Sequence, residues 1–245
     1  MNIENCMIRS KEMKCLVVLG SPNTTGFGGQ MIKTIENQVN TMDMNIPFDI
    51  LNVGEKEYRM CKGCTQCFTS GKCTLTESDG YDFYNKLIEY DALMFVVPSY
   101  IHQMPAVLKN CFDRMASKMH EFPLLGKKVM VITYSMSNGE EELRAYIAGV
   151  MTSLGAEVVG AYTFNRCRDD KNRLLSDVIE GLEKMKYKIE NRKFVVTKSQ
   201  EQLYIYIRKI VSMEIENNVV SYKQKRWKKL MEYNSLVEYL RHAGA

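Results

Sequence analysis

An open α/β domain, with a five-stranded parallel sheet and helices on both faces, followed by a C-terminal helical extension, is the architecture this sequence predicts. Three observations predict it. Short apolar runs alternate with helical patterns from residue 14 to about residue 192. The runs are continuously apolar, as expected of strands covered on both faces. Helical patterns stand between most of them, and parallel strands need such crossovers.

The elements follow in order. Lys14–Gly20 (KCLVVLG) reads as a buried first strand. Gln30–Asn40 reads as a helix and Pro47–Val53 as the second strand. Leu93–Val97 (LMFVV) is the third strand, stopped by Pro98, which has no N–H to give to a ladder. Met104–His120 is amphipathic, and Lys128–Tyr134 (KVMVITY) is the fourth strand. Glu140–Leu154 is helical, with Gly155 as its C-cap. Glu157–Phe164 is the fifth strand and Leu174–Asn191 the closing helix.

Beyond Phe194 the pattern changes. Ser199–Asn217 and Tyr222–Arg241 read as a helical hairpin, with Tyr204, Ile205, Ile207, Ile210 and Val211 forming an apolar stripe. We therefore expect one α/β domain over residues 1–194 and a helical extension over 195–245. No internal repeat or low-complexity segment interrupts either part.

Composition excludes several function classes. Of 245 residues, 45% are apolar and 25% charged, an ordinary globular balance. No apolar run reaches the roughly 18 residues needed to cross a bilayer. The segment Met1–Lys14 is polar and lacks the apolar stretch of a signal peptide, so a cytoplasmic protein is expected. A net charge of +4 does not announce nucleic acid. The basic run Tyr222–Lys229 reads as a solvated helical face whose Trp227, Leu230 and Tyr233 pack inward.

Ligands on open parallel sheets bind beyond the carboxyl ends of the strands. The loop after strand one carries Ser21, Asn23, Thr24, Thr25, Gly26, Phe27 and Gly28. Hydroxyls, amides and backbone N–H groups at a helix start suit a phosphate monoester. The loop has no Lys for a nucleotide P-loop and lacks the three-glycine dinucleotide spacing, so FMN fits it better than a resident NAD. An ordinary strand-to-helix turn has similar composition.

The loop after strand three, Pro98, Ser99, Tyr100, Ile101 and His102, offers an aromatic face and backbone donors for a flat ring. His102 shows no paired carboxylate in the sequence and reads as a solvent-facing residue. Tyr134, Ser135, Asn138 and Gly139, after strand four, form the other wall.

Eight cysteines in a chain expected to stay reduced are not a disulfide framework. Four of them crowd into Cys61-x2-Cys64-x2-Cys67-x5-Cys73. A [4Fe–4S] cluster takes four such thiolates, zinc would accept the same set, and unligated thiols in a tight loop are the third reading. Cys6, Cys15, Cys111 and Cys167 read as ordinary thiols.

The motifs GSPNTTG after strand one and VVPSYIHQMPAVLKNCFDRM after strand three, with the cysteine cluster between them, resemble the NADPH-dependent FMN reductase family. Within it the match is nearest to the iron–sulfur flavoproteins and covers roughly residues 14 to 165. The resemblance implies a flavodoxin-like fold, bound FMN and a homo-oligomer. It places Ser21, Asn23 and Thr25 in the phosphate loop and Pro98, Ser99 and Tyr100 in the flavin-ring loop. Lys109, Asp113 and Arg114 match the family's following helix, where a structural role is implied. One departure stands out: Gly26-Phe27-Gly28 occupies the place of the family's Gly-Asn-Thr.

The implied function is transfer of electrons from NAD(P)H through FMN to a small-molecule or redox-protein acceptor. Flavin accepts hydride directly, which agrees with the lack of a catalytic triad or carboxylate pair. The alternative is a non-enzymatic FMN or iron–sulfur electron carrier or redox sensor. Carriers of the flavodoxin type are usually strongly acidic, and this chain is not.

Overall fold

A computed structural model describes residues 13–75 and 79–243, with no account of the side chains of 79–82. Cys6 and most of Met1–Lys14 lie outside the described residues. Five strands, β1 (Cys15–Leu19), β2 (Phe48–Asn52), β3 (Ala92–Pro98), β4 (Lys128–Ser135) and β5 (Glu157–Asn165), form one sheet. Its order is β2-β1-β3-β4-β5 and every pairing is parallel. This is the expected flavodoxin-like architecture.

The apolar runs are buried because successive side chains leave a strand on opposite faces. Leu16, Val18, Leu93, Phe95 and Val97 enter one core with helices α4 (Ala106–Arg114) and α5 (Glu140–Ser153). Val17, Leu19, Met94 and Val96 enter a second core with α1 (Phe27–Thr41) and α6 (Lys171–Glu190). Strands β1 and β3 are buried along their whole length, so no alternation shows in their sequence.

Several elements differ from expectation. Helix α1 begins at Phe27, three residues early, on an extended Gly26. Between β2 and β3 stand a short helix, α2 (Gln66–Ser70), and a crossover helix, α3 (Asp79–Glu89), that the sequence reading left out. Phe83 and Leu87, one turn apart on α3, are both fully buried. Helix α4 ends at Arg114 and gives way to a 3-10 turn over Ala116–His120. The expected Tyr222–Arg241 helix is two helices, α8 (Gln224–Leu230) and α9 (Leu236–Ala243).

Before them, α7 (Lys198–Glu216) starts on a capping box in which Thr197 and Gln200 satisfy each other's backbone N–H. The Gln200 side chain is buried and donates to the Thr152 and Ala156 carbonyls, joining the extension to α5. A third core gathers Tyr204, Ile207, Val211, Trp227, Leu230, Leu236 and Tyr239 around Phe122. Trp227 donates its indole N–H to the His120 carbonyl at 2.7 Å. Ile205 falls off the expected stripe and is 60% exposed. Among the described residues no helix is long and apolar enough to cross a membrane.

Candidate functional site

The loops after β1, β3 and β4 emerge at the same edge because all five strands are parallel. In the first loop Ser21 is buried, and its hydroxyl accepts from the Asn23 N–H at 3.1 Å. Asn23 Oδ1 accepts from the Thr25 N–H at 3.2 Å and from the Thr25 hydroxyl at 3.3 Å. These side chains hold the turn in shape, and Gly26 leaves the start of α1 without a side-chain cap.

Tyr134, at the end of β4, reaches across to this loop. Its hydroxyl lies against the Gly28 backbone, 2.5 Å from where a Cβ on that residue would stand. Burial pushes the phenol up to about 12, and the polar Ser21 side chain, the Gly28 backbone and the Arg166 charge offset only part of it. Tyr134 is therefore a neutral hydroxyl at physiological pH.

The second loop turns sharply, with Ile101 and His102 both at positive φ (50° and 60°). A bridge between Tyr100 and Gln103 closes it, and the Tyr134 carbonyl accepts from the Ser99 N–H at 2.7 Å. Tyr100 and Ile101 are turned outward, 48% and 96% exposed. The His102 Nδ1 stands 3.5 Å from a Glu142 carboxylate oxygen, so this histidine does have the acidic partner the sequence did not show. The partner lies forty positions away, on α5.

The third loop touches the second. Gly139, at φ +86°, has no room for a side chain: a Cβ there would lie 2.5 Å from Ser99 Oγ and 2.9 Å from His102 Cα. The Ser99 hydroxyl is buried and, among the described residues, has no hydrogen-bond partner. Asn138 and Met136 are exposed at the loop tip.

Ser135 points inward. Its hydroxyl donates to Glu140 at 2.5 Å, and the same carboxylate receives Asn165 Nδ2 at 3.2 Å and Arg168 Nη2 at 2.7 Å. Burial pushes the Glu140 carboxyl up, but the hydrogen bonds from Ser135, its own backbone and Asn165, with the Arg168 charge, hold it below the ordinary carboxylate value. Sequence reading missed Glu140, Asn165 and Arg168. The triplet Glu140-Glu141-Glu142 carried only the signal of a helix start.

Cys61, Cys64, Cys67 and Cys73 all line one cavity of about 370 Å³, together with Phe68, Thr74, Asp113 and Arg114. Helix α4 holds this loop. Asn110 Oδ1 accepts from the Cys61 N–H at 2.8 Å, and its amide donates to the Tyr58 and Arg59 carbonyls. Arg114 donates to the Arg59 and Leu75 carbonyls and approaches Cys73 Sγ at 3.9 Å. Lys109 pairs with Asp113 on the helix surface. Hydrogen bonding to the Gln66 backbone, then to the Thr74 hydroxyl, lowers the Cys64 thiol below its ordinary value. Among the described residues no three His, Cys, Asp or Glu side chains converge as ligands of a single metal ion. Of the other cysteines, Cys15 and Cys111 are buried and Cys167 is exposed.

Comparison with known proteins agrees with this geometry. The family described as NADPH-dependent FMN reductase matches residues 13–170. An iron–sulfur flavoprotein of Archaeoglobus fulgidus is 29% identical over 137 residues, 54% of this chain and 65% of that one. One from Clostridioides difficile is 20% identical over 212 residues, 84% of this chain and 93% of that one. Among solved structures, a Klebsiella pneumoniae protein assigned as a quinone reductase superposes with TM-score 0.53 at 14% identity, over 72% of this chain and 85% of its own. The NAD(P)H:quinone oxidoreductase of Methanothermobacter marburgensis gives TM-score 0.51 at 14% identity, over 75% and 98%. Those two likenesses concern the fold.

Proposed function

Because the chain belongs to the NADPH-dependent FMN reductase family, we propose that it is a flavoenzyme. It takes electrons from NAD(P)H through FMN and passes them to a small acceptor such as a quinone, a free flavin or an iron–sulfur partner. One observation carries the reading: three polar loops meet at the carboxyl edge of the sheet, with a buried, unpartnered Ser99 hydroxyl between two of them. That orphaned group and the close-packed Gly139 are what a tightly fitted polar ligand would complete.

FMN, when bound, supplies the hydride acceptor. The chain's own residues would do the rest. Ser21, Asn23, Thr24, Thr25, Gly26, Phe27 and Gly28 would hold the phosphate end. Pro98, Ser99, Tyr100, Ile101 and His102 would line the ring on one side, and Tyr134, Ser135, Asn138 and Gly139 on the other. Ser135 contributes by its backbone, because Glu140 takes its hydroxyl.

We assign a [4Fe–4S] cluster to Cys61, Cys64, Cys67 and Cys73. Four thiols around a cavity of about 370 Å³ suit a polynuclear group better than one ion, and the two relatives named iron–sulfur flavoproteins support the choice. We further assign the protein to the cytoplasm and to a homo-oligomer. The exposed Tyr100, Ile101 and Met136 at the site mouth support the second assignment.

One anaerobic visible spectrum tests the reading. Flavin bands over a broad iron–sulfur absorption are expected, with NAD(P)H oxidation when a quinone is added. A protein that carries no flavin and takes up none on adding FMN would overturn it, and tight flavin without turnover would reassign it as a carrier.

A further inference from the structure

Phe27 and Gly28 stand where the family's Asn and Thr were expected, and the surroundings of both positions are occupied. A Cβ on Gly28 would lie 2.5 Å from the Tyr134 hydroxyl oxygen and 2.8 Å from Leu19 Cδ1. No side chain fits there, and the space belongs to the Tyr134 hydroxyl. A hydroxyl is thus restored at the start of α1, delivered from β4.

Phe27 is the first residue of α1, and its ring stacks on Phe164 at 5.4 Å with an interplanar angle of 8°. It meets Tyr134 at 5.1 Å. Two cations rest on this ring, the Arg166 guanidinium at 4.8 Å and the Lys171 ammonium at 5.4 Å from its centroid. Neither has a carboxylate partner among the described residues. Arg168, two positions on, is by contrast bound to Glu140 at 2.7 Å. An aromatic platform fixes a guanidinium that flexible lysines or free arginines would have to immobilise on binding.

We propose that Arg166 and Lys171, seated on the Phe27 ring, together with the Tyr134 hydroxyl, are this chain's clamp for the FMN phosphate. They replace the side chains lost at Phe27 and Gly28. The inference rests on the proposed FMN site. It also explains the pairing of two departures that would each weaken anion binding alone: a Thr-like side chain at 28 would expel Tyr134, and loss of the ring at 27 would release both cations. The phosphate dianion meets two positive charges and the positive end of a fifteen-residue helix.

The test is titration of flavin-free protein with FMN and, separately, with riboflavin, which lacks the phosphate, followed by quenching of flavin fluorescence. The wild type is expected to prefer FMN about a hundredfold or more. Arg166→Ala and Lys171→Ala should each weaken FMN about tenfold, with riboflavin unchanged, and Tyr134→Phe should weaken FMN less. Arg166→Lys should recover part of the loss, and the Arg166 effect should shrink in high salt. Both cations are surface residues, so their variants should fold, and unchanged circular dichroism would verify it. FMN binding that survives both alanine changes, or FMN and riboflavin weakened in parallel, would overturn the clamp and leave the FMN site standing. A wild type that binds neither flavin would overturn both.

Discussion

Replacing Glu140 by Gln asks how much the buried carboxylate contributes to the loop after β4. The substitution keeps shape and hydrogen-bond count. With its oxygen toward Asn165 and Arg168, the amide can donate to Ser135, whose hydroxyl then accepts. What is lost is charge. A bond to a charged acceptor contributes about 1.5–3 kcal/mol against roughly 1 for a neutral one, so the Ser135 and Asn165 bonds each lose about 1 kcal/mol. Arg168 is 66% exposed, so water screens its pair and adds at most about 1 kcal/mol. The sum is roughly 2–3 kcal/mol, or about 4–12 °C in melting temperature for a chain of this size. Glu140 is held below the ordinary 4.5, so the native state favours its ionised form. The carboxylate's contribution is complete above pH 4.5 and is lost as pH falls through the depressed native value. Thermal melts of both proteins at pH 7 should therefore differ, and the gap should narrow as the pH falls below 4.5. A gap that does not change with pH, or no gap at pH 7, would refute the assignment of this stability to the charge.

Three further outcomes follow from the same structure. Gly71 sits at φ +73°, and a Cβ there would lie 2.9 Å from Tyr222 Cβ; Gly71→Ala should cost about 1–3 kcal/mol in urea unfolding. Adding Tyr222→Gly should cost less than the separate effects combined, because it removes the Cβ and ring atoms that the new methyl would meet. Iodoacetamide at pH 7, on metal-free protein, should modify Cys64 faster than any other cysteine of the loop, since hydrogen bonding favours its thiolate; Cys15, pushed up to about 12 by burial, should react only on unfolding. Trp227→Ala should cost about 3–5 kcal/mol, and a loss under 1 would mean that the extension does not dock through this ring.

The strands were legible because β1, β3 and β4 are buried on both faces, so each shows as an unbroken apolar run. Helix α3 was not: in the described part its core contact narrows to Phe83 and Leu87, too short a pattern to stand out beside the cysteine loop. The break between α8 and α9 had a local signal in Ser235, whose hydroxyl accepts from the Glu238 N–H at 3.0 Å, but the apolar residues on either side masked it. Loop composition pointed to three loops, which the parallel sheet brings to one edge. It could not show that Ser135 turns to Glu140, that His102 meets Glu142, or that Tyr134 enters the Gly28 space. Each of these depends on a partner brought close by strand register, and not on neighbours in the chain.

Helix α4 joins the two candidate centres mechanically. Near its start, Leu108 lies so close to the end of β1 that a Cβ on Gly20 would approach it to 2.6 Å. Further along the helix, Asn110 and Arg114 bond to the carbonyls and amide of the cysteine loop at 2.8–3.3 Å. The extension then closes on the far side of that loop, with the Tyr222 ring against Gly71 and its hydroxyl donating to the Ser117 carbonyl at 2.7 Å. The cysteine loop is thus held between a helix that also abuts the loop after β1 and a segment lying outside the matched family region. Removing Asn110 or Arg114 should therefore disturb the thiols first, while a larger residue at Gly20 should disturb flavin binding first. Changes that displace α4 as a whole should affect both together.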